Sequence, residues 1–293
     1  MSAALKQVGE SICRVCGGPQ SELLFAKGGW DFLRCAACGL VSISPLPTLA
    51  EIETHHDTSY AEGGYATFAS AGGIRRAIAE SRLAAVRPLA PAGAWLDVGA
   101  STGAFVAAAS TAGIEAEGLE ISSVAVEQAR AQGLDVHQGA VEDFHPKRAY
   151  AVITAFDVVE HLAEPRDFVR RIGEWLMPGG VLAITVPNIG SFAARALGRS
   201  WFYYAPPDHV HYFNPATIEL LLKESALTAV KISPAYKPLT IDYAAEQLGH
   251  FTPALAPLAR GIGRILPRRL ADHPWPIPVG EIFVTATRSR EGA

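Results

Sequence analysis

Between residues 91 and 235 short apolar runs alternate with segments of helical periodicity, and no other feature of the 293-residue chain restricts its fold so far. Runs that are apolar along their whole length suit strands buried on both faces, as in a parallel sheet covered by helices. The pattern predicts strands at Trp95 to Val98, Glu115 to Leu119, Asp135 to Gln138, Tyr150 to Phe156, Val181 to Val186 and Ala229 to Ser233. It predicts helices at Ser122 to Gln132, stopped by Gly133, and at Pro165 to Leu176, stopped by "MPGG". "EIFVTATR" adds a closing strand. Ligands of such sheets lie beyond the carboxyl ends of the strands, so the chemistry is expected there.

The first strand runs into "LDVGASTGAF", Leu96 to Phe105, where Gly99 and Gly103 flank the turn into a helix. Glycines let the backbone approach a ligand, and exposed N–H groups at the helix start can meet it. About twenty residues on, Glu120 ends the next strand, placed to accept hydrogen bonds from ribose hydroxyls. Turn and acid together point to a nucleoside. The alternatives are a ligand-free strand–helix connection and a dinucleotide-dependent oxidoreductase; the latter expects G-x-G-x-x-G, which "GASTG" does not provide.

With "AVITAFDVVEHL" and "LMPGGVLAITVPN" following at the next two strand ends, the sequence resembles the class I S-adenosylmethionine-dependent methyltransferases. The resemblance implies a Rossmann-like α/β fold with a seven-stranded sheet, its last strand antiparallel, and S-adenosylmethionine as cofactor. It carries cofactor-binding roles to Asp97, Gly99, Ala100, Ser101, Thr102, Gly103, Glu120, Ile121 and Phe156 and, through "GAVEDF" beside the adenine, to Val141 and Glu142. Two departures stand out. Ser101 occupies the place of a third glycine, which strains the backbone if φ is positive there, and Ala140 replaces an acidic or polar residue, leaving adenine recognition to backbone groups.

All four cysteines fall early, as "CRVCGG" and "CAACGL". Two C-x-x-C knuckles at Cys13, Cys16, Cys35 and Cys38 match a tetrahedral zinc site; redox-active pairs or buried free thiols are the alternatives. A closed four-sulfur site leaves the metal no open position, so zinc is expected to be structural, in a small zinc-ribbon-like domain. Such a knuckle ahead of this fold is similar to the N-terminal part of sugar C-methyltransferases, and the methyltransferase region is similar to ubiquinone-type enzymes. The predicted organisation is a zinc knuckle at 1–45, a helical linker at 46–90 opened by a Thr48–Glu51 capping box, and a methyltransferase domain at 91–293 with a lid insertion at 236–277.

Methyl transfer needs alignment and, for many acceptors, a base. His161, in "FDVVEHL", and His209, in "PPDHVHYFNP", are the candidates; Pro207, His209 and Phe213 match a P-x-H-x-x-x-F pattern of related methyltransferases and favour His209. An extended chain would send His209 and His211 to one side. The alternatives are a histidine that bonds a backbone carbonyl at 209 and a turn cap at 161. Small-RNA 2′-O-methyltransferases hold magnesium with an E-x-x-E-H motif and a later histidine, which Asp157, Glu160, His161 and His209 resemble; a metal-assisted O-methyltransferase is therefore a second expectation.

The aromatic cluster Trp201 to Pro207 suits a substrate wall or core packing, and Tyr60 and Tyr65 suit closure over the cofactor. The segment 255–269 puts Leu255, Leu258, Ala259, Ile262, Ile265 and Leu266 on one helical face with arginines largely elsewhere, as for a lid, or for a peripheral surface that meets anionic lipid or a diphosphate-linked acceptor. A net charge of −4 gives no general attraction to polyanions, so no nucleic-acid partner is expected. No secretory leader or membrane span is read from the pattern, which predicts a cytoplasmic protein. The expected activity is methyl transfer to a small molecule or glycan, a sugar derivative foremost. The competing class is a zinc-dependent interaction protein with a degenerate nucleotide fold.

Overall fold

The computed structural model describes residues 11–61, 72–240, 267–271 and 273–290. The chain opens with four antiparallel strands, β1 (Ser11–Ile12), β2 (Pro19–Lys27), β3 (Trp30–Cys35) and β4 (Val41–Ser44). Lys27 pairs with Trp30, so Gly28 and Gly29 form a two-residue hairpin turn, and φ of 60° and 87° there is the left-handed pair that such a turn requires. The helix α1 (Leu49–Ala61) begins at the predicted capping box, with Thr48 N donating to Glu51 Oε2 at 2.8 Å and Glu51 N to Thr48 Oγ1 at 3.3 Å. The helix α2 (Gly72–Val86) follows.

The remaining elements are β5 (Trp95–Val98), α3 (Ala104–Thr111), β6 (Ala116–Glu120), α4 (Ser123–Ala131), β7 (Val136–Gln138), β8 (Tyr150–Phe156), α5 (Pro165–Trp175), β9 (Leu176–Pro187), α6 (Phe192–Leu197), β10 (His211–Tyr212), α7 (Pro215–Leu222), β11 (Leu227–Leu239), α8 (Arg268–Ala271) and β12 (Trp275–Arg288). The main sheet has seven strands in the order β11-β12-β9-β8-β5-β6-β7. Strands β9, β8, β5, β6 and β7 are parallel, and β12 runs antiparallel to both its neighbours. This is the expected Rossmann-like sheet with its last strand reversed. Every residue of β8 is buried, and β5 and β9 supply Leu96, Leu182, Ile184 and Val186 to the same core.

Three segments depart from the pattern. "MPGG" does not stand outside the sheet: it bulges within β9, where Tyr150 opposes Leu176 but Val152 opposes Val181. The strands β11 and β12 extend well past the apolar runs, pairing as far as Leu239 and Trp275. An edge strand is half exposed and tolerates Pro234 and Pro238, so its hydrophobic signal is diluted. Finally, β10 stands apart from the main sheet altogether and joins the N-terminal one, in the order β1-β2-β3-β4-β10. The knuckle packs accordingly: Cys13, Val15, Cys35 and Leu40 belong to one buried cluster with Val159, Val186, Phe213 and Ile218. Among the described residues no helix is long and apolar enough to cross a membrane. The amphipathic stretch Leu255 to Leu266, and Tyr65, lie outside the described residues.

Candidate active site

The glycine turn sits at the carboxyl end of β5. Gly99, Ser101 and Gly103 have φ of 71°, 51° and 81°, so Ser101 does adopt the left-handed backbone that its Cβ disfavours. The glycines answer to packing as well as to any ligand. A Cβ on Gly99 would lie 2.4 Å from Val158 Cγ2, and one on Gly103 2.4 Å from Leu134 Cδ1. Ala100 and Thr102 are buried beside them, and Thr102 Oγ1 accepts from Arg75 Nη1 at 2.7 Å.

Glu120, at the end of β6, is buried and faces this turn, accepting from Ser101 N at 2.8 Å and from Ser122 N at 2.9 Å. Two amide donors fix its carboxylate between the turn and the next helix, while lone pairs remain for further donors. Asp97 lies behind, its Oδ1 taking the Thr154 hydroxyl at 2.6 Å. Burial pushes the Asp97 carboxyl up to about 7, against the lowering effect of that hydroxyl and of Arg82. Val141 is buried after β7, and Ile121 and Glu142 are half-buried. Phe156, also buried, stacks edge-on with Phe105 and lies under the Arg82 guanidinium at 4.5 Å.

The second group gathers at the carboxyl ends of β8 and β9. Asp157 accepts from Arg82 Nη2 at 2.6 Å, Lys237 Nζ at 3.2 Å and Thr185 Oγ1 at 2.7 Å. Lys237 also reaches the buried Glu281 at 2.6 Å, and the Tyr203 hydroxyl donates to the same Glu281 oxygen. Burial alone would raise the Asp157 carboxyl; the Lys237 and Arg82 cations outweigh it and hold the group well below the usual carboxylate range. Beside them, one ligand atom each of Glu160, His161 and His209 lie within 4.8 Å of one another. Glu160 is 1% exposed, and neither of its carboxylate oxygens has a hydrogen-bond partner among the described residues. Burial, reinforced by the Asp157 charge, raises it well above its ordinary range.

His209 Nδ1 lies 2.8 Å from the Tyr203 carbonyl, and its ring stacks on Tyr203 and meets His161 edge-on. A carbonyl can only accept, so Nδ1 carries the proton and Nε2 is the basic nitrogen. His211 does not share this setting: its Nδ1 engages Ser42 Oγ at 2.8 Å in the N-terminal sheet. His209 precedes β10 rather than lying in it, so the extended-chain expectation fails. Asp157 is likewise absent from the Glu160–His161–His209 cluster, because two cations already claim it. Of the aromatic run, Trp201 and Tyr204 are buried in a cluster with Phe32 and Tyr212, while Phe202 and Tyr203 are half-buried.

The four cysteine sulfurs converge. Cys13 Sγ and Cys38 Sγ are 3.6 Å apart, Cys16 Sγ and Cys35 Sγ 3.4 Å, and all four lie within 4.8 Å. Sulfurs bound to zinc at tetrahedral corners stand about 3.8 Å apart, whereas a disulfide needs about 2.05 Å. Val15 N and Gly18 N point at Cys13 Sγ and Cys16 Sγ, as thiolates require. The donor set therefore fits zinc.

Arg75, Arg82, Lys237 and Glu281 escaped the sequence reading. Arg75 and Arg82 come from α2, Lys237 from β11 and Glu281 from β12, and only Glu281, a carboxylate heading the β-branched run "EIFVTATR", offered a local signal.

An α/β sheet in this order, with a glycine turn, a buried acid on the next strand and a histidine beyond, defines an S-adenosylmethionine-dependent methyltransferase, and the chain is one. It belongs to the methyltransferase-domain family, whose model matches residues 71–232. It is similar to the ubiquinone biosynthesis O-methyltransferases of Aromatoleum aromaticum, 24% identical over 163 residues, 50% of this chain and 70% of that protein, and of Vibrio parahaemolyticus, 26% identical over 163 residues, 50% and 69%. Its fold matches a SAM-dependent methyltransferase from Thermotoga maritima, with a TM-score of 0.54, 17% identity, and 79% of this chain and 100% of that one covered. It also matches phosphoethanolamine N-methyltransferase 2 of Haemonchus contortus, with a TM-score of 0.52, 15% identity, and 71% and 52% covered. The reaction is methyl transfer from S-adenosylmethionine to a small-molecule acceptor.

Proposed function

We propose that the acceptor is a sugar derivative and that His209 takes the proton of its nucleophilic group. Asp97 and the turn from Gly99 to Gly103 would hold the cofactor, with Glu120 and Ile121 at its ribose, Val141 and Glu142 by its adenine and Phe156 beside its reacting end. S-adenosylmethionine supplies a methyl group already activated on a sulfonium; the new bond joins it to the acceptor and the broken bond leaves its electron pair on sulfur. The chain's own task is then to align the acceptor, exclude water and receive one proton at His209 Nε2. The sugar reading is supported by the convergence of the four cysteine sulfurs, because a cysteine knuckle ahead of this fold is similar to the N-terminal part of sugar C-methyltransferases. Cys13, Cys16, Cys35 and Cys38 would hold a structural zinc ion, which suits a reducing compartment such as the cytoplasm.

The observation that carries the cofactor side of this reading is Glu120, buried and clamped by Ser101 N and Ser122 N at the mouth of the glycine turn. Glu120→Ala should weaken S-adenosylmethionine binding by about 1.5–3 kcal/mol, the worth of hydrogen bonds to a charged group. Isothermal titration of both proteins measures this, and unchanged affinity in the folded variant would remove Glu120 from the site.

One observation favours a second reading. Glu160, His161 and His209 converge, and the carboxylate oxygens of buried Glu160 have no hydrogen-bond partner among the described residues, so the cluster could instead hold a divalent ion through one carboxylate and two imidazoles. In that case His209 is a ligand and not the base.

A further inference from the structure

The segment that carries His209 runs directly into β10, a strand of the cysteine-knuckle sheet. His211 pairs with Ser42 and Tyr212 with Val41, and Ile43 N donates to the Val210 carbonyl at 3.0 Å. Val210 N donates to the Glu160 carbonyl at 2.9 Å, and the Tyr212 hydroxyl donates to the carbonyl of His209 itself at 2.8 Å. The connection runs back to the thiolates. Gln20 pairs with Cys35 across β2 and β3, donates to Ser42 Oγ at 2.8 Å, and Ser42 meets His211 Nδ1 at 2.8 Å; Gln20, Ser42 and His211 are all buried. Phe32 of β3 packs on Tyr204 and Tyr212, and Lys27 Nζ donates to the Tyr204 carbonyl at 2.8 Å, next to the Tyr203 carbonyl that holds His209 Nδ1.

The crevice meets the knuckle through apolar packing in one buried cluster, Leu96, Val98 and Leu119 with Cys13 and Cys35, and not through strand pairing: among the described residues β5 and β6 pair with β8, β7 and each other. We propose that the β4–β10 strand pair, with Ser42 and Tyr212, is the positioning device for His209, so that metal loading of the four-cysteine site governs proton transfer without governing cofactor affinity. This rests on the reading of His209 as the base. The coupling has two physical states: small metal-held domains fold with the ion and lose their structure without it, and with β1–β4 unformed β10, which begins two residues after His209, has no partner. Val41 and Ile43 leave the aromatic cluster in the same event, which frees the Tyr203–Tyr204 turn.

The test reads the His209 imidazole directly and needs no acceptor. In full-length, zinc-loaded protein labelled with ¹⁵N-histidine, the resonance missing from His209→Ala reports the Nδ1–H tautomer and its exchange with water. Stripping the zinc with a chelator should speed that exchange by about tenfold or more and mix the tautomers, and added Zn²⁺ should restore both. The affinity for S-adenosylmethionine should stay within about twofold. Since stripping can unfold the whole chain, zinc-loaded Tyr212→Phe is the second arm: exchange should rise about three- to tenfold, the worth of one hydrogen bond, with zinc content and cofactor affinity kept. A His209 signature that survives both stripping and Tyr212→Phe overturns the proposal. Failure of the base assignment is a different result, namely an unchanged signature with His209→Ala fully active.

Discussion

His209→Ala should lower turnover by about 10²–10⁴-fold on any acceptor that the native protein methylates, with S-adenosylhomocysteine release as the assay. The size follows from the geometry around the ring. The Tyr203 carbonyl accepts a hydrogen bond from Nδ1–H at 2.8 Å, which fixes the tautomer, and ring contacts with Tyr203 and His161 fix the plane. A base whose proton location and orientation are both set before the acceptor arrives needs little reorganisation in the transition state. Cofactor affinity should hardly change, because Glu120 and the glycine turn lie on other strands. Full activity would return His209 to a packing role. Turnover of the native protein that depends on added Mg²⁺ or Mn²⁺ would favour the divalent-ion reading of Glu160, His161 and His209.

Asp157→Asn should cost about 2–4 kcal/mol of folding stability, between the worth of exposed and fully buried ion pairs, and lower Tm by about 5–10 °C. The substitution is nearly isosteric, and asparagine tolerates the left-handed φ of 58° at this position, so the loss is electrostatic rather than conformational. What it leaves behind is the reason for the cost. Arg82 and Lys237, each with side chains 20% exposed, would keep their charges beside a neutral amide. The sign with pH follows from the depressed folded-state pKa. The contribution is complete above the unfolded-state value of about 3.9 and disappears as pH falls through the folded one, so the gap between native and variant should close in acid. Thermal melts at pH 7 and below pH 3 measure it; equal stability at pH 7 would mean that the cations are adequately solvated without Asp157.

The features most legible in the sequence were those with local causes. Trp95–Val98 and Tyr150–Phe156 emerge with the predicted boundaries because both strands are buried on both faces and read as mainly apolar runs, broken only by Asp97 and Thr154. The glycine turn and the cysteine quartet were legible because spacing alone fixes their geometry. What escaped was long-range. The strand β10 is two residues long, too short to carry any periodicity, and it finds its partner about 170 residues away in the chain. The ion cluster of Arg82, Asp157, Lys237 and Glu281 draws on four elements scattered along the sequence, so no local pattern announces it. For the same reason Asp157 looked like a metal ligand until its two cations were in view. Trp201 and Tyr204 read equally as substrate wall or core, and only the contacts with Phe32 and Tyr212 decide for the core.

The most direct measurement is a crystal structure of the full chain grown with S-adenosylmethionine. The account predicts density across the turn from Gly99 to Gly103 with the ribose hydroxyls about 2.7 Å from the Glu120 carboxylate, the spacing of a strong O–H···O bond. A ribose placed away from Glu120, or an empty crevice in a folded and zinc-loaded protein, would contradict it.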